Sequence, residues 1–359
     1  MVSMRALPYT LIFTLPVLVI TGYLLGGWWN YLTPFFVFVI VPILDIAIGE
    51  DTTNPPDNEE DELENSKSYR IITWLCVPIV LGLVFWGLYI VSVVNLPPHA
   101  FVGLGISIGI NSGVMGINVG HELGHRVKSK YEMAMSRIIL WPTGYLHWGL
   151  EHVVGHHRHV ATPEDPATAK RNQSFYRFWP QTVFGAIRSV FRFEADRLSR
   201  QEKSAYSPHN RTLRHLLYTI ALIIGVFFIL GLSSLLLFLL QAFVAITLLE
   251  VINYIEHYGL ERKETDNGYE RVKITHSWNS SHRFTNWFLF NLQRHADHHY
   301  KPGRRYQILR HYEKSPQLPT GYAGMIWLAL IPPLWKRIIH PRIDDIVEGP
   351  RIEKSDSLL

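Results

Sequence analysis

The chain of 359 residues contains a single cysteine, Cys76. One thiol excludes an intrachain disulfide framework, an iron–sulfur cluster and a cysteine-rich zinc site within this chain. No G-x-G-x-x-G segment follows a strand-like run, so the signature of a flavin or nicotinamide site is missing as well. Charged residues make up only 18% of the chain, whereas 48% is hydrophobic and 13% aromatic, and this balance excludes an intrinsically disordered protein.

Apolar runs of membrane length are present instead. A spanning helix needs about 20 mostly apolar residues. The first run could be a signal peptide, but it is long, contains Pro16 and is followed at once by a second run. The segment Gly231–Ser234 breaks a run of about 40 residues into two. We therefore predict a single all-α membrane domain with transmembrane helices at about residues 8–27, 31–49, 71–94, 99–120, 215–230 and 235–254, and cytoplasmic blocks at 121–213 and 255–359.

The positions of Lys and Arg predict how the chain is oriented in the membrane. With six spans, the connections on one side lie near Trp28–Asn30, Asn95–His99 and Gly231–Ser234, and none of them contains Lys or Arg. All 34 of these residues therefore fall on the other side, which the positive-inside rule makes cytoplasmic. Both termini are predicted to be cytoplasmic. The net charge of +4 is a topology signal and does not indicate nucleic-acid binding.

Histidine is abundant, with 18 in the chain, and half of these residues lie in four short segments at predicted span ends or beyond them. Two histidines four residues apart lie on one face of a helix and can hold a metal between them. This spacing occurs in three segments, and the second and third of these also contain a His-His pair. The nine candidate metal ligands are His121, His125, His152, His156, His157, His257, His295, His298 and His299.

Nine imidazoles are more than one metal ion can use, and they suit two ions with open coordination positions. Imidazole binds Zn, Cu, Fe and Ni, so the ligand type does not name the metal. The segment His121-Glu122-Leu123-Gly124-His125 also fits the zinc-protease pattern H-E-x-x-H, with Glu122 as the general base, but that mechanism needs one further ligand rather than seven. A membrane metal transporter would need ligands deep in the bilayer, whereas these histidines lie at span ends or outside the spans.

At these residues the chain resembles the membrane di-iron desaturases, hydroxylases and monooxygenases, and most closely the bacterial alkane 1-monooxygenase family. The boxes at 121–125, 152–157 and 295–299 resemble the shared pattern of that superfamily. The segment Asn253-Tyr254-x-Glu256-His257-Tyr258-Gly259 resembles the alkane and xylene hydroxylase branch. The stretches at 161–168, 276–280 and 292–295 favour the alkane members, and the resemblance covers about residues 40–340.

This resemblance implies that all nine histidines bind two iron ions in a cap on the cytoplasmic side of six helices. The implied reaction is terminal hydroxylation of medium-chain n-alkanes to 1-alkanols with O₂ and two electrons from reduced rubredoxin, in the bacterial inner membrane. A fatty-acyl desaturase or hydroxylase and a xylene-type methyl hydroxylase are the alternatives within the superfamily. The single cysteine agrees with an electron donor that is a separate protein.

Several other residues are candidates for supporting roles. Glu122, Glu151, Glu256 and Asp297 stand beside box histidines and could orient their rings, with Asp165 a weaker candidate. A substrate corridor is expected along the fourth span, where small residues recur, although close helix packing would give the same pattern. The corridor candidates are Gly105, Gly109, Ser112, Gly113 and Gly116. A dock for an acidic electron carrier, or the ordinary positive-inside excess, would explain the basic residues Arg158, Lys170, Arg171, Arg294, Arg304 and Arg305.

Overall fold

The structure, a computed structural model, describes residues 4–348 and is built almost entirely of helices. Six of the helices in this part of the chain are long and apolar enough to cross a membrane, which is the number predicted. We call them spans 1 to 6 in chain order: Met4–Leu25, Gly27–Ile48, Lys67–Val93, Pro98–Gly124, Arg211–Leu230 and Leu232–His257.

The outer faces of the spans show why the chain is a multi-pass membrane protein. Only 11% of the apolar window of span 5 is buried inside the protein, and residues such as Leu217, Phe228 and Ile229 are exposed. Apolar faces of this size are costly in water, whereas a bilayer covers them without cost. Span 4 is the opposite case, with 72% of its window buried, and it lies at the centre of the bundle.

Span 4 packs closely against span 6 because its small residues let the two backbones approach. A Cβ added at Gly105 would lie 2.5 Å from Leu240 Cδ2, and one added at Gly109 would lie 2.6 Å from Val244 Cβ. Neither position has room for a larger side chain. This contact fixes the end of span 4, and with it His121, relative to the end of span 6 at His257.

Within the described residues 4–348, three short stretches are wound as π-helix rather than α-helix. They are Phe36–Ile40 in span 2, Ser112–Ile117 in span 4 and His152–His156 in the second histidine box. A π turn inserts one extra residue and so changes which side chains share a face. The last two of these stretches contribute directly to the site described below.

The remaining elements lie between and after the spans. The ordered strands in residues 4–348 form one antiparallel hairpin of two residues each, Glu264–Thr265 and Gly268–Tyr269, so the described fold is otherwise helical. The helices outside the spans are Asp57–Glu59, Glu60–Asn65, Lys130–Leu140, Trp148–Glu151, His157–His159, Phe175–Ser199, Arg283–Phe288, His295–Tyr300, Tyr306–Ile308, Tyr322–Ala329 and Pro332–Glu348.

Buried polar contacts fasten the C-terminal block to the spans. Asp45, in span 2, accepts hydrogen bonds from the backbone N–H of Thr285 at 2.9 Å and from its hydroxyl at 2.6 Å. Asn118, in span 4, donates to the carbonyl of Leu289 at 2.9 Å. These contacts bring the helix His295–Tyr300 beneath the ends of spans 4 and 6, and they explain polar residues that lie within apolar segments.

Candidate metal centre

The nine predicted histidines meet in the structure and form two adjacent groups. Within each group the candidate ligand atoms all lie within 4.8 Å of one another. Group one contains His121, His125, His152, His157 and His298. Group two contains His156, His257, His295 and His299.

In group one the Nε2 atoms follow one another in a chain of short contacts. His121 and His298 are 2.9 Å apart, His298 and His157 3.0 Å, His157 and His152 3.0 Å, and His152 and His125 3.1 Å. These five residues come from span 4 and the residue that follows it, from the second box and from the helix His295–Tyr300. Segments up to 177 positions apart in the chain therefore converge on one point.

In group two the same type of contact links four Nε2 atoms. His156 and His299 are 3.3 Å apart, His299 and His295 2.9 Å, and His295 and His257 3.1 Å. His257 is the last residue of span 6 and is fully buried.

These separations fit metal ions held between the rings. Two imidazole nitrogens that are each about 2.1 Å from one ion, at about 90° to each other, lie about 3.0 Å apart. Burial lowers the pKa well below 6.5 for six of the seven clustered histidines outside the spans, so those rings are neutral and have the lone pair that a metal needs. The six are His125, His152, His157, His295, His298 and His299.

The two His-His pairs are divided between the groups. His157 belongs to group one and His156 to group two, while His298 belongs to group one and His299 to group two. The four-residue spacing of His152 and His156 predicts that they share an ion, but the structure groups His152 with His157 instead. The reason is the π-helical turn at His152–His156, which aligns residues five positions apart.

Two carboxylates lie against rings of group two, and one of them is hydrogen-bonded to its ring. Asp165 accepts a hydrogen bond from His156 Nδ1 at 2.9 Å, and it is held in place by the hydroxyl of Thr168 at 2.6 Å. Burial alone would lower the pKa of His156, but Asp165, together with the charges of Glu151 and Glu256, outweighs burial and raises it. Glu256 Oε1 lies 3.2 Å from His295 Nδ1 and accepts a hydrogen bond from the hydroxyl of Tyr322 at 2.7 Å.

The other three expected carboxylates have different surroundings. Glu122 forms an ion pair with Arg126 at 2.8 Å, and Asp297 pairs with Arg304 at 2.9 Å. Glu151 is buried beside the second box, where burial, together with the charge of Asp165, raises its pKa to about 8. Since Glu122 is held by an arginine and both of its neighbouring histidines belong to a five-imidazole group, the geometry argues against a zinc protease.

Asp165, only a weak candidate in the sequence, contacts His156, and Tyr322, which the sequence did not single out, contacts Glu256. Asp165 stands eight positions from the nearest box residue, and only the turn-forming stretch Asp165-Pro166-Ala167-Thr168 marked it. Tyr322 begins an apolar helix, Tyr322–Ala329, and nothing in the sequence of this helix indicates a functional site. Its contact with Glu256 depends on how that helix packs against span 6.

An apolar cavity ends on the histidines. Its walls come from spans 2, 4 and 6, from the segment 285–292 and from the helix Tyr322–Ala329. His121 and His152 of group one and His295 of group two lie at its polar end. The apolar lining residues are Val37, Val41, Gly113, Val114, Ile117, Leu248, Leu249, Ile252, Phe288, Leu289, Leu292, Ala323 and Ile326.

Of the five corridor candidates, only Gly113 lines this cavity. Gly105 and Gly109 are closed off by their contacts with span 6, and a Cβ at Gly116 would meet Val80 and Thr143 at 3.3 Å. Ser112 is fully buried and its hydroxyl has no hydrogen-bond partner within residues 4–348. Close helix packing therefore accounts for Gly105 and Gly109.

A surface groove, which we call the basic groove, is lined by four basic residues and by the acids Glu164, Asp165 and Asp196. Arg158, Lys170, Arg188 and Arg192 are exposed along it, and the buried Asp165 that binds His156 also lines it. Four of the basic residues that were expected at a docking surface instead bind other groups of the protein. Arg294 donates to backbone carbonyls, whereas Arg171, Arg304 and Arg305 form ion pairs with Asp344, Asp297 and Glu132 respectively.

Comparisons with known proteins agree with this geometry. The family model described as fatty acid desaturase matches residues 95–329, which is more than half of the chain. The chain is thus a multi-pass membrane protein of the fatty acid desaturase family with a histidine-rich candidate metal centre.

Within that family it belongs to the alkane 1-monooxygenases. It is 42% identical to alkane 1-monooxygenase 1 of Pseudomonas aeruginosa over 332 residues, which cover 91% of this chain and 86% of the relative. It is 40% identical to alkane 1-monooxygenase of Acinetobacter baylyi over 311 residues, or 86% of this chain and 76% of the relative. The expected family resemblance is confirmed.

A relative from the neighbouring branch is more distant. The hydroxylase component of xylene/toluene monooxygenase from Pseudomonas putida is 27% identical over 349 residues, which cover 95% of this chain and 90% of the relative.

Proposed function

We propose that this protein hydroxylates medium-chain n-alkanes at the terminal carbon, with O₂ as the oxidant. The observation that carries the proposal is the apolar cavity that ends on histidines of both groups. A saturated hydrocarbon offers no polar group for recognition, so an apolar channel of suitable width is the means of binding that remains. Relatives at 38–42% identity are named alkane 1-monooxygenases, and they support this substrate class.

The cofactor we propose is a pair of iron ions, one in each histidine group. Bound there, they would supply the O₂-activating redox chemistry that protein side chains lack. In the overall reaction one oxygen atom enters the terminal C–H bond, and the other leaves as water after two electrons and two protons are taken up. The nine histidines are the proposed ligands, and the open side that faces the cavity leaves room for O₂ and substrate.

The chain's own residues perform the positioning. The walls of the cavity hold the alkane chain and exclude water. A cavity that ends on histidines of both groups presents the end of a linear chain to the metals, which accounts for attack on the terminal carbon. Asp165 fixes the ring of His156, and Glu256, held by Tyr322, orients His295.

Reduced rubredoxin is the proposed electron donor, and the basic groove is its proposed dock. Arg158, Lys170, Arg188 and Arg192 provide positive charge for an acidic protein, and such charges steer association. Asp165 at the groove and its hydrogen bond to His156 give a short route from this surface to group two. A separate carrier is needed because Cys76 alone cannot build a redox centre.

The proposed location is the bacterial inner membrane, with both termini in the cytoplasm and the whole chain acting as one domain. The support is the distribution of Lys and Arg, all of which lie on one side of the six spans. That side also contains the histidine groups and the basic groove, so a soluble cytoplasmic electron carrier could reach the site.

The alternatives are less well supported. A xylene-type methyl hydroxylase is disfavoured because the relative of that name is 27% identical, compared with 42% for an alkane enzyme. A fatty-acyl substrate would need a polar group for its carboxyl or carrier, whereas the cavity is lined mainly by apolar atoms. A transporter would need ligands deep in the bilayer, whereas the nine histidines lie at span ends or outside the spans.

One experiment tests the proposal directly. Purified protein is analysed for metal and then supplied with octane, O₂, NADH, rubredoxin and its reductase. We expect iron close to two ions per chain and 1-octanol as the product. Zinc without iron, or iron without any O₂-dependent product, would refute it. Oxidation of a xylene methyl group in preference to octane would favour the neighbouring branch.

A further inference from the structure

A second cavity, away from the histidines, lies between the helix Lys130–Leu140 and span 5. It is open to the surface, and we call it the headgroup slot. It is lined by Arg137, Ile138, Trp141, Leu146, Arg211, Arg214, His215, Tyr218 and Ala221. None of these residues lines the alkane cavity or belongs to the metal groups.

One end of the headgroup slot is strongly positive. Arg137 and Arg214 come from different helices, and neither forms an ion pair within residues 4–348. Arg211 is held by Glu194 at 2.6 Å, and that carboxylate is shared with Arg197. The structure therefore brings two uncompensated guanidinium groups to one opening, where an anion would satisfy both.

His215, which lines the slot, has a buried polar atom without a partner. His215 Nδ1 is buried and makes no hydrogen bond within residues 4–348. Buried polar groups in folded proteins are nearly always paired, so a bound group with an acceptor or donor oxygen would complete this site.

The other end of the slot is apolar and lies deeper along the membrane helix. Arg211, Arg214, Tyr218 and Ala221 recur every three or four residues, so they share one face of span 5. Ten residues of helix are about 15 Å long, which places Ala221 that far below Arg211. Trp141 donates to the carbonyl of Tyr218 at 3.0 Å, and both rings stand where aromatic residues usually mark the interface.

The slot opens toward the bilayer. Leu217, Ile220 and Ile224 flank it on span 5 and are exposed, and span 5 is the least buried of the six spans. An occupant must therefore combine a negative headgroup with an apolar tail, because one end of the slot is cationic and the other faces lipid. A soluble anion would leave the apolar end empty, and a neutral lipid would leave both arginines unpaired.

We propose that the headgroup slot is a specific binding site for an anionic phospholipid. The phosphate lies between Arg137 and Arg214, and one acyl chain runs over Tyr218 and Ala221. Basic pockets between membrane helices bind acidic lipid headgroups in this way. The lipid fastens the helix Lys130–Leu140 to span 5.

Lipid binding is measured by native mass spectrometry of the full-length protein. The probes are palmitoyl-oleoyl phosphatidylglycerol and the phosphatidylcholine with the same chains. An arginine near an anionic headgroup strengthens binding about fivefold, so the double variant Arg137→Gln/Arg214→Gln should bind phosphatidylglycerol about 30-fold more weakly. The double variant Arg188→Gln/Arg192→Gln removes the same charge from the basic groove and should retain parental affinity. Phosphatidylcholine should bind weakly to all three proteins.

Ala221→Trp tests the tail independently of charge, since it fills the apolar end of the slot and leaves both arginines in place. Ala221→Trp should also weaken phosphatidylglycerol binding. If the arginine variants fail to fold, the result for Ala221→Trp is sufficient to test the proposal. Inorganic phosphate at millimolar concentration should not displace the lipid. Equal losses in the two double variants, equal binding of both lipids, full affinity in Ala221→Trp, or displacement by phosphate would each overturn the proposal.

Discussion

Asp165 offers the sharpest test of how the protein holds its proposed second ion. Its carboxylate accepts three hydrogen bonds, from His156 Nδ1 at 2.9 Å, from the Thr168 hydroxyl at 2.6 Å and from the Ala167 backbone N–H at 3.0 Å. In Asp165→Asn one oxygen becomes an NH₂ group that cannot accept. At least one donor then loses its acceptor, and the ring of His156 loses the charge that orients it.

The size of the effect follows from the cost of these losses. A buried donor without an acceptor costs about 1–3 kcal/mol, and removal of a carboxylate that orients a metal-bound histidine typically lowers metal affinity or activity about 10- to 100-fold. Since Asp165 contacts only His156 among the nine histidines, we expect one of the two ions to be weakened within that range. The other ion should keep its affinity.

The assay is competition for iron between the purified protein and a chromophoric chelator. Asp196→Asn is a matched control, because it makes the same chemical change at an exposed acid of the same groove. That control should bind both ions normally. If Asp165→Asn bound both ions as tightly as the parent, or weakened both equally, the orienting role derived from the structure would be wrong.

Three further changes test other parts of the structure. His257→Ala leaves three imidazoles in group two, whereas His157→Ala leaves four in group one. The amount of iron bound per chain should therefore fall further in His257→Ala than in His157→Ala. Equal iron contents in the two variants would argue against the grouping. Val114→Phe narrows the cavity and should slow octane oxidation about tenfold or more, with the iron content unchanged. Val102→Phe, on the exposed face of the same helix, should leave the rate of octane oxidation unchanged. Equal rates in the two variants would contradict the assignment of Val114 to the cavity lining. Burial alone would raise the pKa of the Glu194 carboxyl, but hydrogen bonds from Arg197 and Arg211 lower this pKa to about 2. The contribution of the ionised Glu194 to stability is therefore present above pH 4.5 and is lost as the pH falls toward 2. Glu194→Gln should therefore flatten the acid limb of a plot of melting temperature against pH, and an unchanged limb would count against this ion pair.

The number of spans and the identity of the clustered histidines could both be predicted from local patterns in the sequence. Both are written in local patterns, because a bilayer requires about 20 apolar residues for each helix and a helix brings residues four positions apart onto one face. His121 and His125, and likewise His295 and His299, share a group as that spacing predicts.

The way in which the four histidine segments combine depends on the packing of the helices. The π-helical turn at His152–His156 pairs His152 with His157 and sends His156 to the other group, and one-dimensional spacing could not reveal that change of register. The structure also selected Asp165 and Glu256 as the carboxylates that touch histidines, and it brought in Tyr322 from 66 positions away in the chain. These outcomes depend on how separate helices pack against one another, and packing is set by contacts between residues far apart in the sequence.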